Sequence, residues 1–327
     1  MSALLSASNL TRRFPGNRGL LDMLARKPRP VVHALSDVSI DVSAGETLGI
    51  VGESGCGKST LARCLVRLIE PDEGNISFDG ADVGSLEGPA RRKFNRAVQM
   101  VFQDPYASLN PRMTVGSTLA EALRVHEIVP AAEINARVAS LLDLVQLPAT
   151  AATRYPHEFS GGQRQRIGIA RALAVEPRVI IADEPVSALD VSVQAQIVNL
   201  FMELQERLGL ALVFITHDLR LVRHMTHRVA VMYLGRVVEI GPVEDIFTAP
   251  RHPYTRALIS AVPQLTPGLL RGEPAVRGEL PSPLSPPSGC AFHPRCPIAL
   301  PQCAAERPAL DARGGTWPVA CLRADEA

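Results

Sequence analysis

A glycine-rich loop over residues 52–60 constrains the fold of this chain more than any other feature. Its sequence is G-E-S-G-C-G-K-S-T. Glycines let successive backbone N–H groups turn inward around phosphate oxygens, where a Cβ atom would clash. The lysine and the hydroxyl residue that end such a loop contact the β- and γ-phosphates and complete a Mg²⁺ coordination sphere. The loop therefore predicts a binding site for a nucleoside triphosphate.

The residues on both sides of the loop fit a strand followed by a helix. Residues 47–51 are a short apolar run of strand length. A helix that begins at Lys58 points its positive N-terminal end at the phosphates, which strengthens the prediction. Apolar residues then recur at helical spacing: Leu61, Leu65, Leu68 and Ile69. The loop also holds Cys56, whose thiol is expected to react with alkylating reagents unless bound nucleotide shields it.

Composition narrows the kind of protein to which such a site belongs. The chain has 327 residues, a net charge of +1 and only 4% aromatic residues, so neither a basic field nor a stacking surface favours nucleic acid. No apolar run has the length of a membrane-spanning helix, and the N-terminus lacks the pattern of a secretory signal. We expect a cytosolic protein, or one attached to a membrane through partners.

Strands and helices alternate in the second half of the chain. Residues 179–183 are an apolar run that ends in an acid, and residues 211–216 are another apolar run. Between them, apolar residues at helical spacing mark a helix over 193–208. Alternating strands and helices predict a mostly parallel sheet with helices on both faces.

Asp183 and Glu184 supply the second half of the predicted site. A carboxylate at the C-terminal end of a strand lies at the ligand edge of a parallel sheet. Asp183 is expected to hold Mg²⁺ through a water molecule, and Glu184 to polarise the attacking water. Phosphoryl transfer depends mostly on positioning and charge stabilisation, so two adjacent acids with separate roles fit the chemistry. An isolated Asp-Glu pair is typical of a solvated turn, but the preceding strand and the phosphate loop favour the catalytic interpretation.

A serine followed by two glycines and a glutamine, at 160–163, predicts a second anion-binding helix N-terminus. With this element the order of motifs resembles that of ATP-binding cassette proteins, over about residues 3–262. The positions that carry the resemblance are Gly52, Ser54, Gly55, Cys56, Gly57, Lys58, Ser59, Thr60, Gln103, Ser160, Gly161, Gly162, Gln163, Asp183, Glu184, Ser187, Ala188, Leu189, Asp190 and His217.

The resemblance implies ATP and Mg²⁺ as ligands, with the phosphates bound by the loop. The implied Mg²⁺ residues are Ser59, Gln103 and Asp183. Glu184, His217 and Gln103 are the implied catalytic residues, with His217 at the γ-phosphate. Gln103 is also expected to couple the site to a transmembrane partner.

The resemblance further implies a head-to-tail dimer. The signature segment, residues 160–163, then caps ATP bound to the opposite subunit, and the segment 187–190 crosses the dimer interface. Phe14 stands where the family places an aromatic residue against adenine, although a long insertion follows it.

Further segments narrow the resemblance to the ATPase subunits of oligopeptide/dipeptide importers. They are residues 102–111, 154–162, 252–258 and 278–283, together with the cysteine-rich tail. The implied function is ATP hydrolysis that energises the uptake of di- and oligopeptides. The alternatives are a cassette motor for another solute, such as nickel, or a soluble cassette regulator without a permease.

The same resemblance implies the partners and the location. The partners are a second, non-identical cassette ATPase, two transmembrane permeases and an extracytoplasmic peptide-binding protein, which largely sets the cargo. The insertion at 15–30 fits the second of the two cassette ATPase subunits of such an importer, the F subunit. The implied location is peripheral, on the cytoplasmic face of the inner or plasma membrane.

Four of the six cysteines lie near the C-terminus, at Cys290, Cys296, Cys303 and Cys321. In a cytosolic chain such a cluster is more typical of a metal site than of disulfides. The spacing lacks the C-x2-C pairs of zinc ribbons, and soft thiolates bind a four-iron cluster as well as zinc. The pattern favours a 4Fe–4S cluster that clamps the tail. Zinc, or four reduced thiols without metal, are the alternatives.

The predicted fold class is α/β. It is a phosphate-loop NTPase cassette with a mostly parallel core sheet, an antiparallel β subdomain and a helical subdomain, followed by a Cys-rich C-terminal tail. The cassette is assigned to residues 1–262, with the helical subdomain at about 104–175. The importer-type extension with its four cysteines is assigned to residues 263–327. A hairpin is predicted around Leu234 and Gly235.

Overall fold

The structure, a computed structural model, describes residues 3–16, 29–104, 109–261 and 278–324. The insertion predicted at 15–30 therefore lies mostly outside the described residues, as do the centre of the 102–111 motif and the start of the C-terminal extension.

The described chain divides into two compact units, which are treated separately below. The first unit holds Val42–Thr47 and Phe78–Thr216, with the residues up to Leu5. The second unit holds Ser6–Asp41, Leu48–Ser77 and the chain from His217 onward.

The strands are β1 (Leu5–Pro15), β2 (Val31–Val42), β3 (Thr47–Val51), β4 (Glu73–Phe78), β5 (Ala81–Asp82), β6 (Val98–Val101), β7 (Val179–Asp183), β8 (Ala211–Ile215), β9 (Arg228–Tyr233) and β10 (Arg236–Pro242). The α-helices are α1 (Lys58–Leu65), α2 (Gly88–Ala97), α3 (Val115–Val125), α4 (Ile134–Leu144), α5 (Gly161–Leu173), α6 (Val191–Leu208), α7 (Leu219–Met225), α8 (Val243–Thr248), α9 (Pro253–Ser260) and α10 (Pro301–Ala305). Short 3₁₀ helices cover Ala131–Glu133, Ala149–Thr153, Pro156–Glu158 and His293–Arg295.

Three parallel strands form the core of the first unit. β7 pairs with β6 on one side and with β8 on the other, with Val179 opposite both Val98 and Ala211. Every residue of β7 and β8 is buried, as is typical of strands covered on both faces. The predicted strands are confirmed, and β7 ends at Asp183.

The helical region of the first unit agrees with the sequence pattern. Helices α3, α4 and α5 contact one another, and α4 follows a 3₁₀ turn at Ala131–Glu133. Helix α6 ends at Leu208, and the following Gly209 adopts the left-handed conformation typical of a helix C-terminus. Its apolar face is buried through Leu204, but Leu208 at its end is 45% exposed.

The second unit contains the strand and helix that flank the phosphate loop. β3 pairs in parallel with β9, and β9 pairs antiparallel with β10. Leu234 and Gly235 join β9 to β10 with φ angles of 43° and 75°, the positive values of a two-residue hairpin turn. Helix α1 begins at Lys58 as predicted but ends at Leu65. The predicted apolar face does not extend further, because Leu68 is 60% exposed.

The cysteine-rich tail, residues 278–324, is built onto the second unit. The amide of Ala320 donates to Val238 O, and the amide of Ile240 donates to Pro318 O, so the tail continues the backbone pairing of β10. Phe292 is buried in one cluster with Tyr233 and other residues of the unit. Among the described residues, no helix is long and apolar enough to cross a membrane.

Candidate nucleotide site and cysteine-rich tail

The phosphate loop turns at three glycines. Gly52, Gly55 and Gly57 have φ angles of 154°, 79° and 105°, a region that residues with a Cβ rarely adopt. A Cβ at Gly52 would lie 2.2 Å from Met232 O, and one at Gly57 would lie 2.3 Å from Ala34 O. Among the described residues, no atom apart from those of its two chain neighbours lies within 4 Å of a Cβ at Gly55. The loop is therefore packed tightly at two glycines and open at the third.

Lys58 lies inside this loop rather than on the surface. Its side chain is buried, and its ammonium group donates to Gly52 O at 2.9 Å and to Glu53 O at 3.1 Å. Because α1 begins at the same residue, the ammonium charge and the positive end of the helix dipole share one location. This combination is suited to bind phosphate oxygens.

The expectation of a reactive thiol in the loop is wrong. Cys56 is only 1% exposed, and its sulfur lies 3.9 Å from Lys58 Nζ. Burial raises the pKa of Cys56 above its ordinary value, so the reactive thiolate is disfavoured.

Contacts on the outer side of the loop were missed by the sequence patterns. The backbone N–H of Glu53 donates to the Tyr254 hydroxyl at 2.9 Å. The Glu53 carboxylate accepts two hydrogen bonds from the Arg295 guanidinium, at 3.0 and 3.1 Å. The only sequence signals were the tyrosine in the 252–258 segment and an arginine next to Cys296.

The acid pair lies in the first unit. The side chain of Asp183 is buried at the end of β7. Glu184 follows with a φ of 45°, a strained value for a residue with a side chain. Its amide donates to Ile215 O at 3.0 Å, so the strained backbone is held at the carboxyl end of the paired strands. Such strain is typical of functional positions.

Hydrogen bonds connect three of the predicted residues in this unit. Gln103 Nε2 donates to the Ser187 hydroxyl at 3.2 Å, and that hydroxyl donates to Glu184 O at 3.1 Å. The exposed Gln103 and the loop after Glu184 are thus one connected group. The segment 187–190 is further fixed by Gln194, whose side-chain Nε2 donates to Leu189 O at 3.0 Å.

The signature segment begins helix α5. Ser160 caps this helix: its hydroxyl accepts from the amide of Gln163, and the Gln163 side chain accepts from the amide of Ser160. Both residues are exposed. A Cβ at Gly162 would lie 2.4 Å from Val193 Cγ1, so the glycine allows the close packing of α5 and α6. The segment therefore exposes polar groups to solvent at the start of a closely packed helix.

His217 and Phe14 belong to the second unit. His217 is exposed and precedes Asp218, which caps α7 by accepting from the amide of Arg220. A side-chain hydrogen bond from Arg220 lowers the pKa of Asp218. Phe14 lies on β1, half-buried, and the Arg12 guanidinium stacks on its ring at 4.8 Å.

The four tail cysteines line one small cavity of about 20 Å³, together with His252 and other residues. All four are free thiols. Burial raises the pKa of Cys290 to about 11 and also raises those of Cys296 and Cys321. Within the part of the chain that the structure describes, no group of three or more His, Cys, Asp or Glu residues is arranged to hold one metal ion.

Two family models match the chain. The model described as "ABC transporter" matches residues 35–187. The model described as "Oligopeptide/dipeptide transporter, C-terminal region" matches residues 238–303, which include three of the four tail cysteines.

Named relatives match over nearly the whole length. A probable peptide ABC transporter ATP-binding protein of Sinorhizobium fredii is 53% identical over 98% of this chain and 89% of its own. The oligopeptide transport ATP-binding protein OppF of Salmonella typhimurium is 50% identical, covering 91% of this chain and 90% of its own. The di/tripeptide transport ATP-binding protein DppF of Pseudomonas aeruginosa is 49% identical, over 95% and 94%.

Solved structures of ATP-binding cassettes are also similar to this chain. The chain is similar to cbiO1 from Clostridium perfringens, part of an ABC transporter complex, with a TM-score of 0.63, 29% identity, and coverage of 76% of this chain and 91% of that one. It is also similar to an ATP-binding cassette in a dimeric post-hydrolysis state bound to ADP and Pi, with a TM-score of 0.62, 28% identity, and coverage of 73% and 98%. Its motifs occur in the family's order, and its relatives match over nearly the whole chain. The chain therefore belongs to the family of ABC transporter ATP-binding proteins.

Proposed function

We propose that this chain is the ATP-hydrolysing subunit of an importer for di- and oligopeptides. The observation that carries the proposal is the phosphate loop: two glycines allow close packing, and Lys58 lies inside the loop at the start of a helix. The three relatives are named as peptide transport proteins, and the C-terminal match is to a peptide-transporter region. Both support peptides as the cargo.

The roles proposed for the site are those that the family resemblance implies, and they fit the chemistry of the side chains. The loop and Lys58 bind the ATP phosphates, while Ser59, Gln103 and Asp183 serve Mg²⁺. Glu184 polarises the attacking water and His217 contacts the γ-phosphate. Charge-assisted hydrogen bonds of this kind stabilise the transition state of phosphoryl transfer.

Glu184→Gln tests the assignment of the base. The amide keeps the size of the side chain but cannot accept a proton, so ATP hydrolysis should fall by about 10²–10⁴-fold while ATP affinity stays native. Glu203→Gln, on the exposed part of α6, is the matched control and should hydrolyse at the native rate. Native hydrolysis by Glu184→Gln would remove Glu184 from the mechanism.

We also propose that hydrolysis takes place in a head-to-tail dimer with a second, non-identical cassette ATPase. The exposed Ser160 and Gln163 support this proposal, because a capped helix N-terminus that faces solvent is suited to a phosphate of another subunit. The segment 187–190 is proposed to cross that interface. The location is proposed as peripheral, on the cytoplasmic face of the membrane, with two permeases and a peptide-binding protein as further partners.

Affinity purification of the tagged chain from its native membranes tests the partners and the cargo together. We expect a second cassette ATPase and two permeases to copurify, and the transport system to support growth on di- or oligopeptides. A chain that copurifies with no membrane protein would instead be a regulator, and a system that takes up nickel and no peptide would contradict the cargo.

We infer that the four tail cysteines bind a metal centre, and we propose a 4Fe–4S cluster with zinc as the alternative. Thiolates that share one zinc ion lie within about 4 Å of each other, because each Zn–S bond is about 2.3 Å. A four-iron cluster binds each thiolate to a different iron and spaces them more widely. The four cysteines line one cavity, which supports a shared centre, and their sequence spacing without C-x2-C pairs favours the cluster over zinc.

Anaerobic purification tests this centre by iron, sulfide and zinc analysis with absorbance near 400 nm. About four irons and four sulfides per chain, lost in Cys296→Ser, are expected. The buried Cys64→Ser outside the tail is the control and should retain them. Zinc without iron would favour the alternative centre, and absence of metal would leave four reduced thiols.

The division into a cassette at 1–262 and a C-terminal extension at 263–327 also stands as a proposal. The tail pairs with β10 and buries Phe292 among cassette residues. A chain that ends at residue 262 should therefore lose stability, since it exposes this apolar surface.

A further inference from the structure

An arginine of the cysteine-rich tail lies against the phosphate loop. The side chain of Arg295 is 9% exposed, and both terminal nitrogens donate to the two carboxylate oxygens of Glu53. A bidentate pair of this kind fixes direction as well as distance. Arg295 Nη1 also lies 3.4 Å from the Tyr233 hydroxyl, and the guanidinium is 5.8 Å from the Tyr233 ring. The guanidinium is thus held at one place and oriented toward one partner.

The ion pair between Arg295 and Glu53 has a desolvation cost, so a net gain in stability does not explain why the pair is present. Arg295 Nε is buried and has no hydrogen-bond partner among the described residues. A buried ion pair commonly adds little net stability, because desolvation offsets the attraction. Its consequence here is geometric, because Glu53 directly follows Gly52 at the start of the loop.

A second contact holds the same residue from the backbone side. The Tyr254 hydroxyl accepts from the amide of Glu53 at 2.9 Å. Tyr254 is itself packed against Phe292 of the tail, with ring centroids 5.4 Å apart, and Phe292 meets Tyr233 edge to face at 5.3 Å. Arg295 and Phe292 lie three residues apart in the tail, between Cys290 and Cys296. One short tail segment therefore acts on both the side chain and the backbone of Glu53.

We propose that Arg295 is a positioning residue for nucleotide binding: through Glu53, the cysteine-rich tail holds the phosphate loop in the shape that accepts phosphates. The contact is made on the Glu53 side chain, while Lys58 acts on the loop carbonyls. The tail therefore acts on the loop from a different position than the lysine. A change in the fold of the tail therefore alters the affinity for nucleotide through this pair. This inference rests on the proposed binding of ATP by the loop.

The central test is a double-mutant cycle on the pair, with MgATP affinity measured by calorimetry. Arg295→Met should weaken MgATP binding by about tenfold, because it leaves the Glu53 carboxylate without its partner. Arg295→Lys, which keeps the charge and one hydrogen bond, should recover part of the affinity. If the two residues act through each other, Glu53→Gln combined with Arg295→Met binds no more weakly than Arg295→Met alone.

Hydrogen exchange of the amides at 52–58 supplies a readout that is independent of nucleotide. It should accelerate in Arg295→Met and stay native in Arg313→Met, a tail arginine whose ion pair is with Asp311. Glu53→Gln changes the loop and leaves the tail sequence intact, so it still tests the pair if Arg295→Met damages the tail fold.

Two results separate the possible failures. If the wild-type chain itself does not bind MgATP, the proposed function fails first. If the wild-type chain binds MgATP, and Arg295→Met and Glu53→Gln bind it equally well with native exchange at 52–58, the positioning role alone is overturned. Additive losses in the double variant would likewise show that the residues act separately and overturn the proposal.

Discussion

The phosphate loop of the second unit and the signature segment of the first unit are both helix N-termini, but they are built differently. The loop is enclosed: Lys58 is buried in it, and Tyr254 and Arg295 hold Glu53 from outside. In the signature segment, Gly162 packs closely against helix α6, while Ser160 and Gln163 remain exposed.

This difference separates a loop that can bind phosphate within one chain from a segment that is proposed to meet the phosphate of a second subunit. A loop whose charged lysine is already enclosed can bind phosphate within one chain, because its groups are fixed before the ligand arrives. In the proposed head-to-tail dimer, the exposed capping serine contacts phosphate only when another subunit supplies it. The two regions should therefore respond differently to mutation, and the predictions below are ordered by the size of that response.

The largest effect is expected from Lys58→Ala. Loss of a charge-assisted contact to phosphate should weaken MgATP binding by about 100-fold or more. Calorimetry on the chain alone measures it. Lys93→Ala, an exposed lysine of α2, is the control and should bind normally. Native affinity in Lys58→Ala would contradict the role of the loop and remove one side of the comparison.

Ser160→Ala should have the opposite profile. We expect MgATP affinity of the chain alone to stay within about twofold, while ATP hydrolysis in the assembled transporter falls by about 50-fold, since a donor to the γ-phosphate is lost. Thr114→Ala is matched to it, because Thr114 also caps a helix by accepting from the i+3 amide. Both variants lose about 1 kcal/mol of helix capping, so only the hydrolysis rate separates them. Equal hydrolysis in both would contradict the signature role.

The next effect concerns the anchoring of the tail beside the enclosed site. Glu239 is fully buried and accepts hydrogen bonds from the amides of Arg251 and His252 and from the Trp317 indole. Glu239→Gln turns an amide NH₂ group toward these donors and should cost about 2 kcal/mol of unfolding free energy.

Urea unfolding followed by tryptophan fluorescence measures this cost, because Trp317 is the single tryptophan of the chain. Glu244→Gln is the control: its ion pair with Arg223 is exposed and should be worth less than about 1 kcal/mol. An unchanged midpoint in Glu239→Gln would mean that the buried carboxylate does not anchor the tail.

The smallest effect is a pH dependence in the same region. Burial lowers the pKa of His252 to about 3, and its Nδ1 accepts from the amide of Tyr254. The unfolded chain binds a proton near pH 6.5 while the folded chain does not, so stability is fully present above about pH 6.5 and is lost as pH falls toward 3. The slope is at most about 1.4 kcal/mol per pH unit.

Unfolding midpoints at pH 7.5 and 5.5 measure this slope. His252→Asn keeps an acceptor for the helix N-terminus but does not titrate, so its stability should change less with pH than that of the wild-type chain. His224→Asn, at an exposed histidine, is the matched control. A slope that is the same in all three proteins would assign the pH effect to other groups.

The sequence predicted the parts of the fold that depend on local patterns. The strand at 179–183 was found to the residue, because a buried apolar run stops at an acid. The hairpin at Leu234 and Gly235 was found because two strand-like apolar runs flank this short, glycine-containing pair. The helix start at Lys58 followed from the chemistry of the loop.

Long-range contacts were not predicted, because nothing in the local pattern encodes them. Glu239 meets Trp317, and Glu53 meets Arg295 across more than two hundred residues of chain. Cys56 was expected to be accessible because it lies in a glycine-rich loop, but tertiary packing buries it. The end of α1 was placed too late for a related reason: apolar spacing continues through Leu68, but the core does not.

The most direct test of this account is a titration of the purified chain alone with MgATP, at protein concentrations where sedimentation shows a monomer. The enclosed loop predicts one MgATP per chain, with an affinity that does not depend on protein concentration. Failure of the monomer to bind MgATP would contradict it, because the phosphate loop would then need a second subunit as much as the signature segment does.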